Sequence, residues 1–325
     1  MTKKYIFITK INQQDTFRQC SFLVFNPRQD YRFFGTLRGS SETACKIAFQ
    51  FSNFMTIKPE HNLDINTAFL IWFIGFVEGD GSFVISHNKV YFDLTQDLKD
   101  IHLLYKIKAT LGFGKVLTRT SEVGTRTGKH RKVGVFYVTG KNNFIRLAHL
   151  FNGNLVTSYK KKQFKTWLSV LNKQYSCFIK NIESDIQPSL KDAWLSGFID
   201  AEGWFAARVK SCHTSKLGKN VFIDFSISQK QKDVLILIRS LFSIKSDTNI
   251  RFDPSWRGYQ FYLGNKKKLV PLINYLNKYP LKTKKNADFL MWSKIHNLSK
   301  QKIHLTEAGL LQITKLCNWK NYLKS

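Results

Sequence analysis

One eleven-residue pattern occurs twice in this chain, and it constrains the fold more than any other feature of the sequence. Phe73-Ile-Gly-Phe-Val-Glu-Gly-Asp80-Gly-Ser-Phe83 recurs 122 residues later as Leu195-Ser-Gly-Phe-Ile-Asp-Ala-Glu202-Gly-Trp-Phe205. Both copies read apolar-x-Gly-Phe-apolar-acid-small-acid-Gly-x-Phe. A repeat on this scale implies two copies of one structural unit. The flanks agree. Phe92-Asp-Leu-Thr-Gln96-Asp-Leu-Lys-Asp100 parallels Phe225-Ser-Ile-Ser-Gln229-Lys-Gln-Lys-Asp233, now at an offset of 133. The second copy therefore carries a longer hairpin, around residues 213–220.

The remaining pattern is shared as well. Amphipathic helices are predicted over 101–111 and 234–242. Two strand-like runs follow in each copy, near 114–119 and 132–139, then near 248–252 and 258–263. Helical patterns come next at 142–151 and 266–276. Each copy closes on a lysine-rich helix start, Thr157-Ser-Tyr-Lys160-Lys-Lys-Gln-Phe164 and Lys282-Thr-Lys-Lys285-Asn-Ala-Asp-Phe289. This is an α+β order with antiparallel hairpins. It divides the chain into an N-terminal extension (1–65), a first repeat (66–175), a linker (176–189), a second repeat (190–300) and a helical tail (301–325). The extension has strand-like pieces at 5–8 and 20–25 and no counterpart in the repeat. Pro188-Ser189 reads as a helix start for Leu190 onward, and Thr306-Glu307 as the start of the tail helix.

The motif carries chemistry as well as packing. Over 68–80 read as a helix, Gly75 and Gly79 lie four residues apart and share a face; Gly197 and Ala201 repeat this. Small residues there let two helix backbones approach closely. Packing alone does not account for Asp80 and Glu202, which fall in the last helical turn. A helix C-terminus is the negative end of the macrodipole, so an acid there calls for a compensating cation. Two such ends side by side form a hard-oxygen site suited to Mg²⁺ or Mn²⁺. The terminal carbonyls, those of Gly79 and Ala201, are unpaired within their helices and add further ligands. Glu78 and Asp200 lie two residues earlier, about 200° around the helix, and read as structural.

Charge points to a polyanionic partner. The 51 Lys and Arg outnumber the 22 Asp and Glu, for a net charge of +29 among 325 residues. Solubility needs far less than that, whereas phosphate contacts use it directly. The basic residues run along the whole chain rather than one amphipathic helix, which argues against a membrane surface. The most apolar run, 69–77, is too short to span a bilayer, and no signal peptide is recognised. Five cysteines, none spaced as CxxC, argue against a zinc site or a disulfide framework. The eight His are scattered.

Strand alternation proposes a binding face. Trp204, Ala206, Arg208 and Lys210 point one way, while Phe205, Ala207 and Val209 point into the core. In the first copy Phe83 and Ile85 are expected in the core, and Ser82, Val84 and Ser86 outside. Asp93 and Thr95, then Asp224, Ser226 and Ser228, share the outward register. Arg208 suits either a guanine edge in the major groove or a phosphate.

With the doubled motif, the chain resembles the LAGLIDADG homing endonucleases, specifically the monomeric two-repeat kind encoded in organelle introns, over about residues 68–300. The tail Leu305-Thr-Glu-Ala-Gly-Leu-Leu-Gln-Ile is similar to the C-terminal helix of mitochondrial members. The resemblance implies a pseudo-twofold pair of αββαββα units, with the motif helices at their interface and two saddle-shaped antiparallel sheets along the DNA. It implies that Asp80 and Glu202 bind divalent metal. It also implies roles for a strand-end glutamine and a basic residue in each half, here Gln96 with Lys160 and Gln229 with Lys285. Which of Lys160, Lys161 and Lys162 serves is left open by their adjacency. The expected activity is hydrolysis of double-stranded DNA at a long asymmetric site. An RNA maturase acting on a group I intron is the rival, alone or as a second activity. A DNA-binding module without catalysis has little reason to keep both acids. An abundance of Lys, Asn, Phe, Ile and Tyr fits an A+T-rich organelle genome, mitochondrial before chloroplast.

Overall fold

The computed structural model describes residues 5–8, 21–24, 48–62, 64–123, 129–244 and 249–319. Residues 1–46 and 47–325 form separate compact units. In the first, β1 (Tyr5–Ile8) pairs antiparallel with β2 (Ser21–Val24), Tyr5 opposite Val24. Cys20 and Phe25 of the expected strand lie outside the described residues, as does Cys45. In the larger unit Cys177, Cys212 and Cys317 are free thiols.

The larger unit is built on two helices with almost no polar surface. α2 (Thr67–Asp80) starts at Asn66, whose side-chain oxygen accepts from the N–H groups of Ala68 and Phe69 at 2.8 and 3.2 Å. Residues 72–78 are all buried, and a helix apolar all round must be surrounded by protein. Its counterpart, α6 (Trp194–Glu202), is buried from Trp194 to Asp200. The start expected at Leu190 is displaced. Asp192 accepts from both the N–H and hydroxyl of Ser189 and from Trp194 N–H at 3.0 Å. A separate turn therefore forms at 189–192, and the helix begins after it.

α2 and α6 cross where neither has a side chain. A Cβ on Gly75 would lie 2.1 Å from the Trp194 carbonyl oxygen, and one on Gly197 would lie 1.9 Å from that of Trp72. Nearer the C-terminal ends, a Cβ on Gly79 would lie 2.3 Å from that of Ala201. All four interface positions read from the sequence are thus at the crossing.

Each motif helix runs straight into a four-stranded antiparallel sheet. The first has the order β3 (Gly81–Ser86), β4 (Lys89–Asp97), β6 (Lys129–Val138), β5 (Lys115–Val123). The second repeats it with β7 (Gly203–Ser211), β8 (Lys219–Gln229), β10 (Gly258–Leu263), β9 (Ile250–Asp253). Thr248, in the run expected for β9, lies outside the described residues. A two-residue turn at His87-Asn88, both with positive φ, closes the first hairpin. The second hairpin has longer strands and a loop at 212–218, as the changed offset requires.

The covering helices are α3 (Ile101–Leu111), α4 (Lys141–Phe151) and α5 (Ser158–Tyr175) in the first repeat. In the second they are α7 (Lys232–Leu241), α8 (Lys266–Lys278) and α9 (Lys285–Lys300). The same aromatic quartet fills both cores: Phe83, Phe92, Phe164 and Trp167 in one, Phe205, Phe225, Phe289 and Trp292 in the other. Trp167 donates to the Tyr91 carbonyl at 2.8 Å, and Trp292 to that of Asp224 at 3.0 Å. Ile85 departs from expectation. It is 37% exposed, beside the equally exposed Val84, because the strand there approaches the hairpin tip beyond its helical cover. Upstream, α1 (Ser52–Ile57) packs on α4, burying Phe51 and Phe54. α10 (Glu307–Cys317), capped by Thr306, packs on β7 and α9. Residues 320–325 of the tail lie outside the described residues.

The repeats brace each other crosswise. Trp72 Nε1 donates to Asp200 at 2.8 Å, and Trp194 Nε1 to Glu78 at 2.5 Å. Glu78 also accepts from Val156 N–H and from the N–H and hydroxyl of Thr157, at 2.7–2.9 Å, where α5 starts. Asp200 does the same for Lys282 and Thr283, ahead of α9. Both acids are buried, with the structural surroundings expected of them. Asp100 accepts from Lys284 N–H at 2.7 Å across the interface, and Asp233 accepts from the Ser158 hydroxyl in return.

Candidate functional site

Gly81 and Gly203 end the two motif helices in extended conformation, so each second acid sits at a helix–strand junction. The crossing brings these junctions together. A Cβ on Gly79 would lie 3.1 Å from Glu202 Cγ. Asp80 accepts from Gln96 Nε2 at 2.6 Å. Gln229 hydrogen-bonds Glu202 in the matching place. Lys160 donates to the Gly81 carbonyl. Lys285 donates to the Ala201 carbonyl at 2.5 Å and lies 3.4 Å from that of Ile199. All six residues expected to act together are therefore assembled, three from each repeat.

The lysine run resolves by helix phase. Lys160 is buried beneath the motif helices. Lys161 turns away to the Ser184 carbonyl at 2.7 Å, and Lys162 is exposed. The Ala201 carbonyl, expected to face a metal ion, accepts from the Lys285 ammonium.

The electrostatics are those of a charged cluster kept out of water. Burial raises the Asp80 carboxyl above its ordinary range, opposed by the Gln96 hydrogen bond and the charges of Lys285 and Lys160. Burial raises Glu202 too, and the charge of Asp80 pushes the same way. Burial lowers Lys160 and Lys285, against the pull of the surrounding acids. Two carboxylates that repel one another, with lysines at hand, form a site that gains from additional positive charge. Beside them opens a cleft of about 430 Å³ lined by Asp80, Gln96, Asp100, Ala201 and Lys285 among others.

The sheets carry the other expected positions on their uncovered faces. Ser82 pairs with Asp93 and Val84 with Tyr91; Ser86 and Thr95 share that register. In the second sheet Trp204, Arg208 and Lys210 pair with Ser226, Phe222 and Asn220, and Trp204 is 57% exposed. Ser228 is half-buried, within 3.5 Å of Gln260 Nε2. Asp224 and Ser226 require correction. They lie in the outward register but are buried. Asp224 ion-pairs with Arg208 and accepts from the Tyr262 hydroxyl, so neighbours on the same face cover it.

Sequence reasoning applied alternation only to the first two strands of each copy and so missed the other two. On β5 and β6 the register adds Lys115, Leu117, Arg119 and Tyr137 to the first face. On β9 and β10 it adds Arg251, Gln260 and Tyr262 to the second. The same period-two pattern would have found them.

Comparison with known proteins agrees with this architecture. The sequence profile of the LAGLIDADG endonuclease family matches residues 73–171 and 195–296. The probable intron-encoded endonuclease 4 of Neurospora crassa is 39% identical over 76% of this chain, which spans 43% of that protein. The cox1 intron-2 37.2 kDa protein of Schizosaccharomyces pombe is 27% identical over 79% of this chain and 74% of its own length. The intron-encoded RNA maturase bI4 of Saccharomyces cerevisiae is 27% identical over 72% of this chain, which spans a third of it. Among solved structures, the meganuclease I-AabMI bound to uncleaved DNA superposes with a TM-score of 0.59 at 23% identity, over 77% of this chain and 98% of that one. The homing endonuclease I-LtrWI bound to target DNA gives 0.59 at 24%, over 78% and 98%. At such identity the likeness is one of fold.

Proposed function

This chain belongs to the LAGLIDADG endonuclease family, and on that premise we propose that it is a site-specific, metal-dependent DNA endonuclease that cuts a long asymmetric double-stranded target. The observation carrying this reading is the convergence of Asp80 and Glu202, one from each repeat, between two uncovered sheet faces. The donor set fits a hard divalent cation, Mg²⁺ or Mn²⁺: two half-buried carboxylates, each raised by loss of solvent, at the carbonyl ends of two helices. Such a cation supplies Lewis-acid activation of phosphate and water. The chain's own residues do the rest. Gln96 and Gln229 hold the carboxylates in place and present amides for orienting water. Lys160 and Lys285 keep positive charge beside the reacting phosphate. The net charge of +29 draws the duplex to both sheets.

That one chain carries both halves of the site supports a monomeric active species. Relatives named for the introns that encode them, together with the A+T-leaning composition, support an organelle origin, in the mitochondrion before the chloroplast. No helix among the described residues is long and apolar enough to cross a membrane. A maturase role, with group I intron RNA as partner, is the second reading and is favoured by the likeness to the S. cerevisiae maturase.

The test is incubation with duplex DNA of the host locus and Mg²⁺, followed by mapping of both cut ends, beside a splicing assay on the precursor RNA. Discrete cuts in both strands are expected. Intact DNA with accelerated splicing would establish the second reading instead.

A further inference from the structure

The open face of the second sheet contains a buried acid where a polyanion is expected to lie. Asp224 is 7% exposed in its side chain, while its ion-pair partner Arg208 is 42% exposed. The carboxylate divides its two oxygens: Oδ2 faces the Arg208 guanidinium, and Oδ1 accepts from the Tyr262 hydroxyl. The site is built around this arrangement. Trp292 holds the Asp224 carbonyl from the covered side at 3.0 Å. The Arg251 guanidinium lies over the Tyr262 ring, 5.6 Å from its centre. Gly264 leaves the necessary room, since a Cβ there would lie 2.8 Å from the Tyr262 hydroxyl and 3.0 Å from Asp224 Oδ1.

An arginine meant for phosphate gains nothing from such a partner. The carboxylate cancels its charge and would repel the phosphate as well. What remains is a guanidinium held beside Asp224 and Tyr262 on an otherwise open face, and its planar array of N–H donors suits an uncharged pair of acceptors. The O6 and N7 atoms of guanine in the major groove are such a pair. The first repeat has no equivalent: Ser86 stands in the place of Arg208 and Tyr91 in that of Asp224.

Taken with the reading of this chain as a sequence-specific DNA-binding protein, on which it rests, the geometry points to Arg208 as a fixed guanine reader in the second half-site, with Asp224 as the residue that positions it. Arg208 then sets specificity at one base pair and adds little to general affinity.

The test uses the full chain and a library of randomised DNA duplexes, selected without divalent cation so that no strand is cut. Wild-type protein is expected to enrich one sequence with a guanine in a single half-site. Arg208→Lys and Asp224→Asn should each reduce that one preference by about tenfold or more and leave the other positions unchanged. Tyr262→Phe, which keeps the ring, should weaken the same position, and it tests the idea even if Asp224→Asn does not fold. Arg208→Ala should leave the salt dependence of binding unaltered. A slope lower by about one phosphate contact in Arg208→Ala would identify a phosphate ligand and overturn the inference. So would an unchanged profile in Asp224→Asn and Tyr262→Phe. Failure of the wild type to enrich any sequence would overturn the sequence-specific reading, and this inference with it.

Discussion

Trp72 and Asp200 are 128 residues apart in the chain, and the indole N–H of one donates to the carboxylate of the other at 2.8 Å. With its mirror, Trp194 to Glu78, this ties each motif helix to a buried acid of the other. A hydrogen bond to a buried charge is worth about 1.5–3 kcal/mol. Trp72→Phe keeps most of the ring and removes the donor. It should lower the unfolding free energy by about that amount in urea denaturation. A loss under about 0.5 kcal/mol would show that the carboxylate does not need its indole.

The glycine crossing tolerates no enlargement. Gly75→Ala and Gly197→Ala place a Cβ about 2 Å from a carbonyl oxygen of the facing helix. Backbone must move, and overpacking of this kind costs about 1–3 kcal/mol or more. Both variants should melt several degrees lower than the wild type. An unchanged melting temperature would mean that the helices are not in contact.

Asp80→Asn and Glu202→Gln should each abolish double-strand cleavage while leaving binding of the target duplex nearly intact. The substitutions remove charge and little volume. Gel-shift and cleavage assays on the same preparation separate the two effects. Full cleavage by either variant would remove that acid from the mechanism.

Divalent cation should also be visible without DNA. A ligand that binds only the folded state raises its stability, by about 2.7 kcal/mol at a hundred times the dissociation constant. Mg²⁺ should therefore raise the wild-type melting temperature and leave the Asp80→Asn, Glu202→Gln double variant unmoved. An equal Mg²⁺ shift in both proteins would place the ion elsewhere.

Affinity for duplex DNA should fall steeply with ionic strength, since each phosphate contact contributes about −0.9 to the slope of log affinity on log salt. A flat plot would contradict an interface led by phosphate contacts.

Much of this was readable from the chain, and what was not has identifiable causes. The doubled motif revealed the repeat, and the small residues at 75, 79, 197 and 201 revealed which faces meet. Asp80 and Glu202 stood out because an acid at a helix C-terminus needs a counter-charge. Helix phase decides among three adjacent lysines, and the sequence does not fix the phase to one residue. Alternation gives the face of a strand but not what lies over it, so the burial of Asp224 beside Arg208 and Tyr262 was invisible. The extent of helical cover was equally hidden, which is why Ile85 is on the surface. At α6 the local competition of Asp192 for backbone donors outweighed the Pro188-Ser189 signal.

The crosswise tryptophan–carboxylate pairs also bear on recombination. A hybrid that joins the front half of this protein to the back half of a relative inherits Trp72 and Glu78 from one parent and needs their partners from the other. Hybrids should stay soluble when the relative supplies an acid for Trp72 and an indole for Glu78, and should otherwise strand an anion in the seam. Any new target specificity assembled by exchanging halves is therefore screened first at four residues that need not touch DNA.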